Sequence, residues 1–277
     1  MKNIIRADVY RIVRGKGIYI LLAAFIAVIA LQVLSGVNMN TGVSYSTVEA
    51  FSSLEDLQSL EDLNPADLFH PPSGAEAPFT SMQESHNSLY FLLPLIIFIV
   101  VTDFSTGAAK NTLASGISRV KYYCSKLASI CVCCAALLVA YLLLSTLAAT
   151  AFNGFGGSFN GAYVGNVLKI LLPQLWLCLA GACVGNFFAF VFRRSAAFIG
   201  IYIAFFMIPA LFIYLLTFIY DKFDVLFDFE LTMSIGKLTQ VSTMSAGEIV
   251  KVLVVGAGYI IVTAIGGFLV FRKAEIK

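Results

Sequence analysis

Most of the residues in this sequence that could do chemistry fail on spacing. The two histidines, His70 and His86, lie in polar sequence between apolar runs, and neither stands in the HExxH frame that binds zinc and supplies a general base. No GxSxG elbow presents a nucleophilic serine. The six cysteines (Cys124, Cys131, Cys133, Cys134, Cys178 and Cys183) fall in or beside apolar runs without a metal-ligand spacing. They read as small packing residues and argue against a disulfide framework. Gly15-Lys16 and Gly236-Lys237 are lone dipeptides outside any GxxxxGK[ST] frame, so the sequence carries no phosphate-binding loop. The central apolar runs hold no paired carboxylates for acid/base work. We assign no catalytic residue, cofactor or metal to the chain itself.

What remains is charge gathered in two polar stretches. Residues 38–88 carry Glu49, Glu55, Asp56, Glu61, Asp62, Asp67, Glu76 and Glu84 and no lysine or arginine. Phe51, Leu54, Leu57 and Leu60 give this stretch an apolar helical stripe that ends near Pro65. Its summed charge could gather a cationic ligand through Glu55, Asp56, Glu61 and Asp62, though a plain solvated segment explains the same composition. Residues 102–126 are organised differently. Leu113, Ile117 and Val120 recur at helical spacing, Ser115-Gly116 is a helix stop, and Ser118 is an N-cap for a new helix. The spacing predicts a short helix, a turn and a second helix, with Asp103 capping the first or pairing with Lys110 or Arg119.

The elements that must position these residues are set by the solvent. Hydrophobic residues make up 59% of the chain and charged ones 12%, with a mean hydropathy of +0.88. A soluble domain carries roughly 25% charged residues, so the solvent is a bilayer. Apolar runs occupy Ile18–Leu34, Leu89–Val101, Leu127–Ala151, Ile170–Phe192, Ser195–Tyr220 and Ile249–Phe271. The first exceeds the apolar region of a cleavable signal peptide and counts as a span. The second is short and must borrow Ser88, Thr102 and Asp103 to cross about 30 Å of hydrocarbon. With the amino terminus inside, 14 of 18 basic residues are cytoplasmic and 13 of 16 acidic ones lie opposite. The expected fold is therefore an all-α integral membrane protein of six transmembrane helices with both ends in the cytoplasm.

Residues 1–17 place Ile5, Val9, Ile12 and Val13 on one face with Arg6, Tyr10 and Arg14 around them, an interfacial amphipathic helix in contact with membrane lipids. Residues 221–248 mix aromatic and acidic side chains and belong at the outer interface, with Ser245 and Glu248 as a capping box before the last span. Gly181 and Gly185, and the stripe Ala23, Ala27 and Ala30, suit close helix packing. The third to fifth runs contain no ionisable side chain, which disfavours proton-coupled or sodium-coupled transport.

The pair Asp103-Phe104, Gly107, the run Lys110 to Leu113, Ser115 to Arg119, and Lys126 together resemble the type-2 ABC exporter permeases, especially the small Gram-positive subunits of antimicrobial-peptide immunity and export. Members of that family usually carry Glu where Asp103 stands and often Thr where Ala108 stands. The resemblance covers most of the chain except residues 38–88. It implies a bacterial plasma-membrane permease subunit, moving a peptide or other amphipathic substrate and working as a dimer with an identical or related permease. It further implies a separate ABC ATPase subunit that holds ATP and magnesium. Residues 102–126 would then hold the coupling helix, with Asp103, Gly107, Lys110, Leu113, Gly116 and Arg119 at the ATPase contact. Apolar substrate surfaces would be sought around Phe91, Phe98, Phe205 and Phe206. A non-transporting accessory or sensor protein shares the same six-span plan, and nothing in the sequence points to nucleic acid.

Overall fold

The computed structural model describes residues 2–35, 72–83, 87–238 and 246–274, and no strand occurs among them. Helix α1 (Lys2–Arg14) ends where the Gly15 N–H donates to the carbonyls of Arg11 and Ile12, at 3.0 and 3.2 Å. Helix α2 (Lys16–Ser35) then leaves at 64° to α1. Short α3 (Ala77–Gln83) precedes α4 (Asn87–Ile96), a π-helical turn (Ile97–Val101) and α5 (Thr102–Ser105). These last three run as one apolar segment over Ser88–Ser105, so the second span takes the polar flanks that its length requires. Helices α6 (Ala108–Ala114), α7 (Arg119–Asn153), α8 (Gly161–Phe192) and α9 (Ser195–Ile219) follow. A 3₁₀ helix (Asp221–Asp228), α10 (Leu231–Lys237) and α11 (Ala246–Lys273) complete the described order.

Five helical segments are long and apolar enough to cross a membrane, and six if the bent α1–α2 pair counts as one span. Together with the composition they make this a multi-pass membrane protein. Helix α7 has 35 residues and α8 has 32. At 1.5 Å per residue both exceed the ~30 Å hydrocarbon core by several turns. For α8 this extends the apolar run: the helix starts at Gly161, capped by the Asn160 side chain, which accepts from the Tyr163 N–H at 2.8 Å. Lys169 therefore stands on a helix, exposed.

The core lies between α4, α7 and α8, where Leu92, Ile96, Ile99, Leu138, Leu177 and Phe190 are each fully buried. Gly181 and Gly185 account for its density. A Cβ on Gly181 would lie 2.6 Å from Leu89, and one on Gly185 2.5 Å from Ile96 and 2.8 Å from Tyr202. The pair thus packs helices of one chain. Tyr202 cannot retreat, being buried with its hydroxyl donating to the Leu89 carbonyl at 2.8 Å. Gly185→Ala is expected to destabilise the folded chain by about 1–3 kcal/mol, read as a lower melting temperature in detergent. The alanine stripe behaves otherwise. Leu21, Phe25 and Ile29 face inward from α2, while Ala23 and Ala27 are exposed.

The helices have two distinguishable ends. At one end, hereafter the basic end, α1, α5, α6, the start of α7 and the close of α8 meet the start of α9 and the close of α11. At the far end the Gly74 and Ala75 N–H groups donate to the carbonyls of Gly154 and Phe155, at 2.9 and 2.8 Å. There too Asp228 accepts from both Lys237 and Lys251, tying the 3₁₀ helix and α10 to α11. Within 221–238, Phe223, Leu226 and Phe229 are exposed while Phe227, Leu231 and Ile235 are buried, so only part of the segment offers an interfacial surface. Ser245 lies outside the described residues, and so does the helical stripe of Phe51, Leu54, Leu57 and Leu60.

Candidate functional site

The basic end is organised around buried ions. Asp103 is the second residue of α5, just after the π-helical turn, and is 4% exposed; Asp8 on α1 is 3% exposed and Lys126 on α7 is 1% exposed. The Lys126 ammonium lies 2.6 Å from Asp103 Oδ2 and 2.6 Å from Asp8 Oδ1. Arg11 donates to Asp103 Oδ1, and its second terminal nitrogen stands 3.3 Å from Asp8 Oδ1. The Tyr122 hydroxyl donates to Asp103 Oδ2 at 2.9 Å, and the Ser129 hydroxyl to Asp8 Oδ2 at 3.3 Å. Two carboxylates and two cations thus cancel in a place where an unpaired charge would be costly.

The wide π turn helps to build this arrangement. The second terminal nitrogen of Arg11 donates to the Ile99 carbonyl at 3.2 Å, and the Thr102 hydroxyl to the Ile97 carbonyl at 2.9 Å. Side chains thereby take up carbonyls in the stretch where the α-helical bonding register is interrupted. The network joins α1, the second span and the third span through side chains.

Helix α1 turns a polar residue toward the bundle and leaves part of its apolar face exposed, as a helix lying on lipid would. Asp8 is buried, Arg11 and Ile12 are half-buried, and Val9 is 42% exposed. Pairing of Asp8 with Lys126 turns the helix so that its carboxylate faces the bundle. Asp103 meets neither of its expected partners, Lys110 or Arg119, among the bonds of the described residues, and it does not cap α6. It belongs instead to Arg11, Lys126 and Tyr122.

Beyond Asp103 the chain reverses through Gly107 at φ +73°, a left-handed backbone that disfavours any side chain although a Cβ would touch nothing within 4 Å. Helix α6 then turns Ala109 inward, packs Leu113 against the core, and exposes Lys110, Asn111 and Ala114. It stops at Ser115-Gly116, with Gly116 at φ +89°, and Ser118 caps α7 by accepting from the Lys121 N–H at 3.4 Å. The short helix, turn and new helix are where the spacing puts them. Arg119 donates to the carbonyls of Phe271, Arg272 and Ala274, at 3.2, 2.6 and 2.9 Å. These carbonyls lie in the last turn of α11 and just beyond it, where acceptors are in excess of donors and a cation also suits the helix dipole.

Behind α6 lies a cleft of about 630 Å³ lined by Asp103, Phe104, Gly107, Lys110, Phe192 and the corner Arg193–Ser195, among others. The Arg193 guanidinium sits 5.4 Å over the Phe104 ring, and Phe104 packs edge-on against Phe190.

The structure brings Asp103, Gly107, Lys110, Leu113, Gly116 and Arg119 to one end of the bundle. It does not gather the four phenylalanines. Phe206 is buried against Tyr202 and Phe205, Phe205 packs on Phe188, Phe91 packs edge-on against Phe25, and Phe98 lies where a Cβ on Gly17 would strike it. Glu55, Asp56, Glu61 and Asp62 lie outside the described residues. Asp8, Arg11, Tyr122, Arg193 and Arg194 are among the residues of this end that the sequence reading did not single out as a site. A lone carboxylate on an otherwise basic helix was the available signal for Asp8.

The profile of a family described as "Protein of unknown function (DUF2705)" matches residues 74–277, well over half of the chain. This chain belongs to the DUF2705 family. No protein of curated function matches it. The DUF2705 match takes in Asp103, α6, Tyr122, Lys126 and the cleft, while Asp8 and Arg11 come from the part of the chain before it. In this DUF2705 protein the charge balance of the basic end is therefore completed by α1, which lies before the residues that match the family profile.

Proposed function

We propose that this chain is the transmembrane permease subunit of an ATP-binding-cassette exporter in the bacterial plasma membrane, working with a separate ATPase subunit that binds ATP and magnesium. The observation that carries the reading is α6. It is braced from behind by Ala109 and Leu113, bounded by glycines in left-handed conformations, and turns Lys110, Asn111 and Ala114 outward. Such a rigid knob has no chemistry of its own and suits the docking of another protein. The missing GxxxxGK[ST] loop assigns ATP to that partner. A second permease subunit, identical or related, would complete the translocation path, and a peptide or other amphipathic molecule is the proposed cargo. In the test, the tagged chain is purified from its native membrane. An ABC ATPase should accompany it, and ATP hydrolysis should be lost when the chain is isolated alone. Robust hydrolysis by the isolated chain would end the proposal.

The orientation that goes with this reading places the basic end in the cytoplasm, because lysine and arginine are retained there during insertion. Single cysteines at two exposed positions in a cysteine-free background test it. Lys222→Cys should react with an impermeant thiol reagent on intact cells, and Ser115→Cys only after lysis. Labelling of position 115 in sealed cells would reverse the orientation.

A further inference from the structure

We propose that the cleft behind α6 binds the phosphate headgroup of an anionic phospholipid, whose acyl chain lies along α9. The headgroup part rests on the charge of the cleft. Lys110, Arg193 and Arg194 line it, and Asp103 is its one carboxylate, already engaged by Arg11, Lys126 and Tyr122. The other described carboxylate of this end, Asp8, is held by Lys126 and Arg11. Lys110 and Arg194 thus face a cavity large enough for a headgroup, with neither of those two acids to neutralise them. Arginine supplies a planar fork of donors that matches a phosphate, and Arg194 and Lys110 are both exposed. Arg194 also stands at the N-cap of α9 without a side-chain cap bond, so the first N–H groups of a 25-residue helix open onto the same corner.

The lipid part rests on what continues from the cleft. Below Ser195 the outward stripe of α9 runs through Ile199 (36% exposed), Gly200, Ile203 (37%) and Met207 (57%). A Cβ on Gly200 would meet nothing within 4 Å, which leaves a shallow trough between exposed isoleucines leading from the cleft into the depth of the bilayer. A free phosphate would use the cleft and leave the trough without purpose. A phospholipid uses both.

The inference shares the membrane placement of the basic end with the reading above but needs neither the ATPase nor a given orientation, since the two leaflets of a nanodisc have the same lipid composition. In the test, the full purified chain in nanodiscs is titrated with fluorescent phosphatidylglycerol and with phosphatidylcholine of the same acyl chains. Phosphatidylglycerol should be retained preferentially, and added salt should weaken it. The double variant Lys110→Gln, Arg194→Gln should lose that preference by on the order of 25-fold, since each basic residue near an anionic surface contributes about fivefold. An unchanged melting temperature would show that these exposed substitutions leave the fold intact. Gly200→Phe, which fills the trough, should lower retention of the lipid and leave inorganic phosphate without effect. Equal retention of the two lipids would overturn the proposal, as would an unaltered double variant. Displacement by inorganic phosphate at matched concentration would instead make the cleft a free-anion site, and capture of an acidic peptide with no lipid preference would make it a protein-docking site; either sinks the lipid assignment.

Discussion

Lys126→Met is expected to cost the folded chain about 3–5 kcal/mol, the usual penalty for breaking a buried ion pair by removing one partner. The ammonium lies 2.6 Å from each of Asp8 and Asp103, and its side chain is 2% exposed. Its removal leaves two carboxylates facing each other with only Arg11 between them. Arg11→Met should cost less, because that side chain is 38% exposed and water can replace part of what it gives. A charge-balanced pair separates electrostatics from lost packing: Asp8→Asn with Lys126→Met returns the cluster to one carboxylate and one cation. It should recover much of the melting temperature in detergent. If Lys126→Met melts with the wild type, the ammonium is not held between the carboxylates. If the double variant is no better than the single, the loss comes from packing and not from charge.

This cluster also marks where sequence reasoning stopped. The spans were legible because a bilayer imposes about 20 apolar residues per helix, and the turn at Ser115-Gly116 was legible because helix stops and caps are local chemistry. The partners of Asp103 were not. Lys110 and Arg119 are near it in sequence, whereas Arg11 and Lys126 reach it from helices 92 and 23 positions away along the chain. Only packing decides between them, and packing favours the pair that can be buried together with a second carboxylate. The burial of Asp8 on α1 was not legible for a related reason. A periodicity argument ranks Asp8 as polar and turns it toward water, but a polar residue with a buried cation opposite is drawn inward. Arg119 is a further case. It lies at the same end of the bundle as Asp103, and there it donates to the carbonyls at the close of α11, a long-range contact that spacing alone does not show.

That correction changes which substitutions can report on a partner. Asp103 and Arg119 both hold the fold together, and Leu113 packs against the core, so losing any of them would reduce partner binding by way of stability alone. Asn111 and Ala114 are exposed and lie on one side of α6. Replacing both with Glu should leave the melting temperature within a degree or two, since exposed substitutions away from caps and cores change stability by about 0.5 kcal/mol or less. If α6 is the docking knob, the same change puts two like charges and two longer side chains into the contact. Unfavourable charge placement across an interface costs several kcal/mol, so recovery of the ATPase with the tagged chain should fall by at least about tenfold, and ATP-driven export should fall with it. The control is Lys222→Glu, an equally exposed substitution at the far end, which should alter neither. Full recovery of the ATPase with the doubly substituted α6 would remove the helix from the interface and leave the chain without its proposed coupling element.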